Sequence, residues 1–440
     1  MPRKAKALRG FFLVGPRSSR SACLSRLPEL GNRGINIIVS PLLSRGILLK
    51  RGISLRLSAA RFTRQDSHMN IKLNHSIAAL VKAILIALVG TLPAAAQSPV
   101  ARPFRIGAVL PLHGPLADYG AALRNGIELA QRDYPSKFQT VEVVYQDSSY
   151  DGKTSLSAFN ALRARGDIDL YYVWGVTPNE TLLPVLAARN LPVISETTLK
   201  RSLVNRPFAI RAAPTGDMTA RVLSDELVRQ GARSFGVLLV DIPYYRDIVE
   251  AMKVYLAQAG AQLEIVDTYT ADTNDFKSVV TKLKSRRYDS LGVFLLPDQI
   301  PTYYRQAFAL GYTTRTFGAA IHDSQDLITR SGPGAEGAMI VVHDVTDEFR
   351  RSWLSAFGND SRIGNGATAY DTLLLIADLF GDGLSHGLSP REIVTRFASA
   401  TGRNGASGHF VYAETPDAGK HFDFPLSLRT IKAGALVPVR

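Results

Sequence analysis

Phe104-Arg105-Ile106-Gly107-Ala108-Val109-Leu110-Pro111-Leu112-His113-Gly114-Pro115 leads straight into Leu116-Ala117-Asp118-Tyr119-Gly120. Residues 106–110 read as a buried strand, and the Pro/Gly-rich turn ends it. Leu123, Ile127 and Ala130 then recur on one face, predicting a helix over 121–132. A strand that stops at a turn and passes the chain to a helix is how an open α/β sheet forms a crevice at the carboxyl ends of its strands. A binding pocket is therefore expected beside this turn.

Downstream the same alternation continues with short connections, as in a parallel sheet with helices on both faces. Strands are expected at 141–145, 168–174, 192–195 and 208–211, and a helix at 180–189. After Pro214-Thr215-Gly216 the layout restarts. Helices are expected at 218–230, 245–259, 276–285 and 300–310, with strands at 235–240, 263–268, 291–296 and 339–342. Helices at 348–357, 368–380 and 390–399 follow, and short β-like runs close the chain. Two similar α/β lobes fit 440 residues better than one sheet, because single cores stop growing well below this size.

The net charge of +14 suggests a polyanionic partner until its distribution is examined. Residues 1–68 hold 14 Lys/Arg against 2 Asp/Glu, and residues 69–96 add two Lys and no acid. Residues 97–440 then carry 36 basic and 36 acidic side chains, so neither nucleic acid nor an anionic membrane is expected as a partner. Residues 69–96 read as a secretory signal peptide. Lys72 precedes an apolar run, Ile77–Leu92, that ends in Pro93-Ala94-Ala95-Ala96-Gln97, with cleavage expected near Ala96. The uninterrupted apolar part after Lys82 is about ten residues, short of a membrane span. Residues 1–68 read as a disordered leader, either an organelle-type transit sequence or translation begun upstream of the native start at Met69. The sole cysteine, Cys23, lies in it, so the body is expected to have no disulfide, thiol nucleophile or lipid-anchor site.

With these elements in place, the chain resembles the two-lobed, type I periplasmic solute-binding proteins of the leucine/isoleucine/valine type, which feed ABC importers. The opening stretch and Asn125-Gly126-Ile127-Glu128-Leu129-Ala130 carry the start of the resemblance. Gln146-Asp147-Ser148, Gly175–Asn179, Leu191–Ser195, Phe208–Arg211 with Asp217, and Val240-Asp241 with Tyr244-Tyr245 continue it. Phe276, Ala307–Gly311, Gly334–Ala338 and Ala369-Tyr370-Asp371 follow in the correct order. The resemblance covers residues 104–430. It implies two Rossmann-like lobes with parallel-sheet cores, joined by three chain crossings and closing like a hinge. Lobe one would comprise 97–214 and 345–412, and lobe two 215–344 and 413–440.

The resemblance also implies a ligand cleft between the lobes. Lobe one would contribute Tyr119 as an aromatic wall, Thr177 and Asn179 from the Gly175 loop, and Ser195, Thr197 and Thr198 at the end of the fourth strand. This corner holds the ligand carboxylate in the family, and short hydroxyl side chains beside open backbone suit an oxyanion. Lobe two would add Tyr244 or Tyr245, Asp298 and the segment 319–323. Two departures bear on the ligand. The family's serine pair is replaced by Thr177-Pro178-Asn179-Glu180, and the acid that neutralises a substrate ammonium falls in direct register on Ala320, with Asp323 three residues later. Unless Asp323 reaches the cleft, a buried ammonium would lack a partner. An amino acid, an amide, a urea-like solute and an aromatic or aliphatic carboxylate therefore stay open.

Several features read as structural. Of the adjacent Tyr244 and Tyr245, at most one faces the cleft, and Trp174 closes an apolar strand as a core residue. His322-Asp323 has no second histidine at ligand spacing, so no metal or other cofactor is expected. Gly332-Pro333-Gly334 is a turn without a phosphate-binding motif, and Lys282–Arg287 a solvated helix end. No G-x-S-x-G elbow accompanies Ser195, which argues against a hydrolase. The expectation is a soluble, monomeric periplasmic protein that captures a small polar solute and presents it to permease subunits. The alternative is a ligand-sensing receptor domain of the same fold acting in signalling.

Overall fold

The computed structural model describes residues 102–319, 323–400 and 402–439. The leader, the signal peptide and Cys23 lie outside the described residues. The chain builds β1 (Phe104–Leu110), α1 (Ala117–Asp133), β2 (Val141–Asp147), α2 (Gly152–Ala164), β3 (Leu170–Trp174), α3 (Val176–Ala188), β4 (Val193–Glu196) and β5 (Ala209–Arg211). It then crosses to α4 (Gly216–Arg229), β6 (Ser234–Val240), α5 (Pro243–Gln258), β7 (Gln262–Tyr269), α6 (Lys277–Lys284), β8 (Ser290–Phe294) and α7 (Gln299–Ala309). β9 (Thr316–Gly318), α8 (Gln325–Ser331) and β10 (Met339–His343) complete that block. It returns through α9 (Asp347–Phe357), α10 (Ile363–Phe380), α11 (Pro390–Ala398), β11 (Arg403–Gly405), β12 (Gly408–Thr415) and β13 (Gly419–Asp423), and ends in β14 (Leu426–Lys432) and β15 (Ala435–Pro438).

The first sheet has the order β11-β12-β13-β5-β4-β3-β1-β2 and the second β15-β14-β10-β9-β8-β6-β7. In each, the second strand of the lobe pairs on one side of the first and the third on the other, all parallel. Strand order reverses at β1 and at β6, the kind of position where an open α/β sheet leaves a crevice at its carboxyl edge. Near-continuous apolar strands explain the burial: Leu170–Trp174 and Ser290–Phe294 are buried throughout because helices cover both faces.

The third crossing differs from expectation. β13 pairs in parallel with β5, through Lys420–Ile210 and His421–Arg211, so it belongs to the first sheet. The chain passes to lobe two at Phe424-Pro425, not after residue 412. Phe422 and Phe424 pack on Phe410 in the lobe-one core, ring centroids 6.0 and 4.6 Å away, but the pairing of β13 with the distant β5 is encoded by no local pattern. The returning chain is tied there as well, the Asp344 N–H donating to the Pro425 carbonyl and the Ser427 hydroxyl to the Asp344 carboxylate.

Two helices were not marked by periodicity. α2 buries only Ser155, Ala158, Phe159 and Leu162, too little apolar surface for a clear 3.6-residue pattern, and is started by Asp151 accepting the Thr154 N–H. α8 is short and is capped by Ser324. Helices α1 and α10 cross in near contact, because a Cβ on Gly126 would sit 2.1 Å from the Gly366 carbonyl oxygen. Only glycine fits. Gly126→Ala should lower unfolding stability by about 1–3 kcal/mol, read from urea denaturation midpoints; an unchanged midpoint would mean the helices do not meet this closely.

Candidate functional site

The reversal at β1 places the starts of α1 and α3 side by side at the carboxyl edge of the first sheet. Tyr119 stands in the first turn of α1, and its ring stacks on Trp174, at the end of β3, with centroids 5.0 Å apart. Tyr150 also meets Trp174, its ring tilted by 54° with centroids 5.8 Å apart. Trp174 is thus both core and the middle of a three-ring wall. Gly175 follows with φ of 93°, and a Cβ there would lie 2.5 Å from the Tyr150 ring, so the tyrosine can lie flat against the loop. Tyr150 and Ser149 are themselves left-handed, with φ of 55° and 45°.

Asp147 holds that conformation. Its carboxylate accepts from the N–H groups of Leu112 and Ser149, each at 2.8 Å, and from the Ser149 hydroxyl, tying the turn after β1 to the turn after β2. Burial works to raise its pKa, but the Ser149 N–H and hydroxyl, His113 and the Leu112 N–H outweigh it and hold it at about 2. The Val176 and Thr177 N–H groups and the Thr177 hydroxyl face the Tyr150 phenol, countering the upward push of burial.

An ion cluster spans the lobes. Arg362, left-handed at φ 53° just before α10, is 2% exposed and belongs to lobe one. Its Nε donates to Asp118 Oδ2 at 2.8 Å, and its Nη1 to Asp323 Oδ1, in lobe two, at 3.1 Å. The guanidinium carbon lies 4.4 Å from the Tyr119 ring centre, a cation–π contact. Burial disfavours its charge, but Tyr119, Asp323 and Asp118 outweigh that and raise its pKa further. Asp323 is pushed up to about 6 by burial, with the Arg362 charge pulling the other way. A second bridge joins Lys200 of lobe one to Asp217 of lobe two at 3.2 Å, with Asp417 at 2.8 Å from the same ammonium.

Glu196, at the end of β4 opposite Trp174, is 3% exposed and its Oε1 accepts the Tyr172 hydroxyl. Burial, opposed by that hydrogen bond, lifts its pKa to about 8, so it is mostly a neutral acid at pH 7.

The structure brings Tyr119, Thr177, Tyr244 and Asp323 toward this region. Tyr244 packs on Tyr245 with centroids 5.3 Å apart, and Asp323 lies close enough to raise the pKa of the Tyr244 phenol. Of the other expected ligand residues, Asn179, Ser195 and Tyr245 are engaged by the scaffold. Asn179 donates to the Val173 and Gly175 carbonyls and accepts the Ser195 hydroxyl at 2.6 Å, so Asn179 and Ser195 fasten α3 to the sheet. Tyr245 is buried and its hydroxyl donates to the Leu295 carbonyl. The Thr197 hydroxyl accepts the Leu199 N–H. Thr198 accepts the Gly216 N–H through its carbonyl, and its buried hydroxyl has no partner. The Asp298 side chain is 96% exposed and faces Arg330 at 3.6 Å, because it ends a surface turn at the start of α7. Ala320 lies outside the described residues. The sequence reading missed Arg362, Tyr150 and Glu196. None sits in a distinctive local pattern, since their roles arise only when distant segments meet.

Among the described residues no group of acidic, His or Cys side chains could hold a metal, and no helix is long and apolar enough to cross a membrane. The family described as periplasmic binding protein matches residues 103–418. A Leu/Ile/Val-binding protein homolog from Brucella suis is 22% identical over 60% of this chain and 70% of its own. A leucine-binding protein from Thermotoga maritima superposes with a TM-score of 0.66 at 18% identity, covering 77% of this chain and 98% of that one. A solute-binding protein of an ABC transporter from R. palustris, in complex with benzoate, gives 0.65 at 15% identity over 77% and 95%. At these identities the superpositions establish the fold.

Glu196 makes a pH prediction. Its folded pKa lies above its ordinary value of 4.5, so its contribution to stability is complete below that value and is lost as pH rises through about 8. Glu196→Gln keeps the shape without the titration. The variant should gain stability relative to the parent from about pH 5 to about pH 8 and level off above it, measured by urea unfolding; parallel curves would place the Glu196 carboxyl in a polar setting instead.

Proposed function

Because this chain belongs to the periplasmic binding protein family, we propose that it is the extracytoplasmic solute-binding component of an ABC importer. It is a binding protein and not an enzyme. The observation that carries the reading is the contact between the lobes: two lobes of like topology meet through the Arg362–Asp323 bridge, with Arg362 over the Tyr119 ring of the Tyr119–Trp174–Tyr150 wall. A solute held by groups from both lobes binds the closed form more tightly than the open one, and that difference drives closure. Permease subunits then meet the closed pair of lobes.

The chemistry of the wall favours a small solute with a flat or aliphatic body and a polar head. Aromatic faces supply the body's contact. Thr177 and the N–H groups at the start of α3, which face the Tyr150 phenol in this structure, supply donors for the head when that ring gives way to it. We take export to follow the segment at 69–96 with cleavage near Ala96, and the working form to be a monomer. N-terminal sequencing of secreted protein and light scattering check these points.

The functional test is a thermal-shift screen against amino acids, amides and aromatic and aliphatic acids, since a ligand that binds only the folded form raises its melting temperature. A hit should also reduce the radius of gyration in small-angle scattering. Tyr119→Ala with Thr177→Ala should weaken the hit at least about tenfold, or 1.4 kcal/mol, while circular dichroism stays native. Unchanged affinity in the double variant would move the site elsewhere.

A further inference from the structure

A ligand ammonium buried in this cleft would need an anionic partner, since an unpaired buried charge is strongly disfavoured. The carboxyl groups nearest the contact between Arg362 and the aromatic wall are already engaged. Asp323 and Asp118 both hold Arg362. Glu196 is bonded to Tyr172 and mostly uncharged at neutral pH. Asp247, one turn beyond Tyr244, is the rival acid: its Oδ2 is buried without a hydrogen-bond partner, against Gly216 and near Asp217 and Lys200. Arg362 is buried and clamped by its stacking on Tyr119, so it cannot swing into water without dismantling the wall.

Resting on the solute-binding reading above, we infer that Arg362 is a specificity-determining residue that supplies the cation for Asp323 from within the protein, so that the cleft rejects solutes bearing an ammonium group and takes carboxylates or amides of similar shape. The guanidinium stands in the place of a ligand amine. Its fixed planar donors hold the acid of the opposite lobe, and an incoming ammonium would have to displace a pair already formed.

The test compares solutes that differ only in the amino group, by titration calorimetry on the purified protein: leucine against 4-methylpentanoate and 4-methylpentanamide, and phenylalanine against 3-phenylpropanoate and its amide. The deamino solute of at least one set should bind at least about tenfold more tightly than its amino acid. Arg362→Gln should narrow or invert that ratio by releasing Asp323, whereas Arg362→Lys, which keeps the charge, should preserve it. Should Arg362→Gln fail to fold, the wild-type ratios and Arg362→Lys decide. Amino acids binding the wild type as tightly as their deamino counterparts would overturn the inference while leaving solute binding intact. So would amino-acid binding that is lost in Asp247→Asn and untouched by Arg362→Gln. If no member of any set binds, the solute-binding reading falls and this inference with it.

Discussion

The arrangement of this molecule depends on one buried guanidinium. Arg362 is set by a left-handed backbone at the head of a lobe-one helix, fixed within its own lobe by Asp118 and the Tyr119 face, and extended to Asp323 of the opposite lobe. A charge so enclosed is tolerable only with good partners, and removing one from a pair of this kind typically costs about 3–5 kcal/mol. The relative position of the lobes is therefore coupled to a contact that also defines one wall of the cleft. On the proposed reading, closure and recognition share the same atoms.

Around that contact the scaffold is rigid for local reasons. Asp147 gathers two turns, Asn179 and Ser195 lock the start of α3, and the glycine pair at 126 and 366 lets the helices behind the wall meet backbone to backbone. These residues do not need to touch a solute to shape its site. They hold the three rings and the hydroxyl corner in register with the bridge, which is how a binding site on loops acquires the precision of the sheet beneath it.

Much of the fold was legible in the sequence because it rests on local signals: apolar strands, turns at their carboxyl ends, and helical periodicity. The restart after Pro214-Thr215-Gly216 marked the second lobe. The site was legible only in part. Tyr119 and Tyr244 follow the turns after β1 and β6, so their places came with the topology. Asn179, Ser195 and Tyr245 have the chemistry of ligand groups but are consumed by neighbours only the folded chain supplies. Arg362, 244 residues from Asp118 and 39 from Asp323, is invisible to any window of sequence. β13 escaped for the same reason, since its partner β5 lies two hundred residues earlier.

The late crossing at Phe424-Pro425 has a consequence for biogenesis. β14 lies between β10 and β15, so the second sheet lacks its closing edge until the final segment of the chain has been synthesised. The first sheet likewise waits for β12 and β13. Neither half is a contiguous folding unit, and such long-range pairing makes for slow acquisition of structure. A polypeptide wired in this way can complete neither lobe until its late strands have been added.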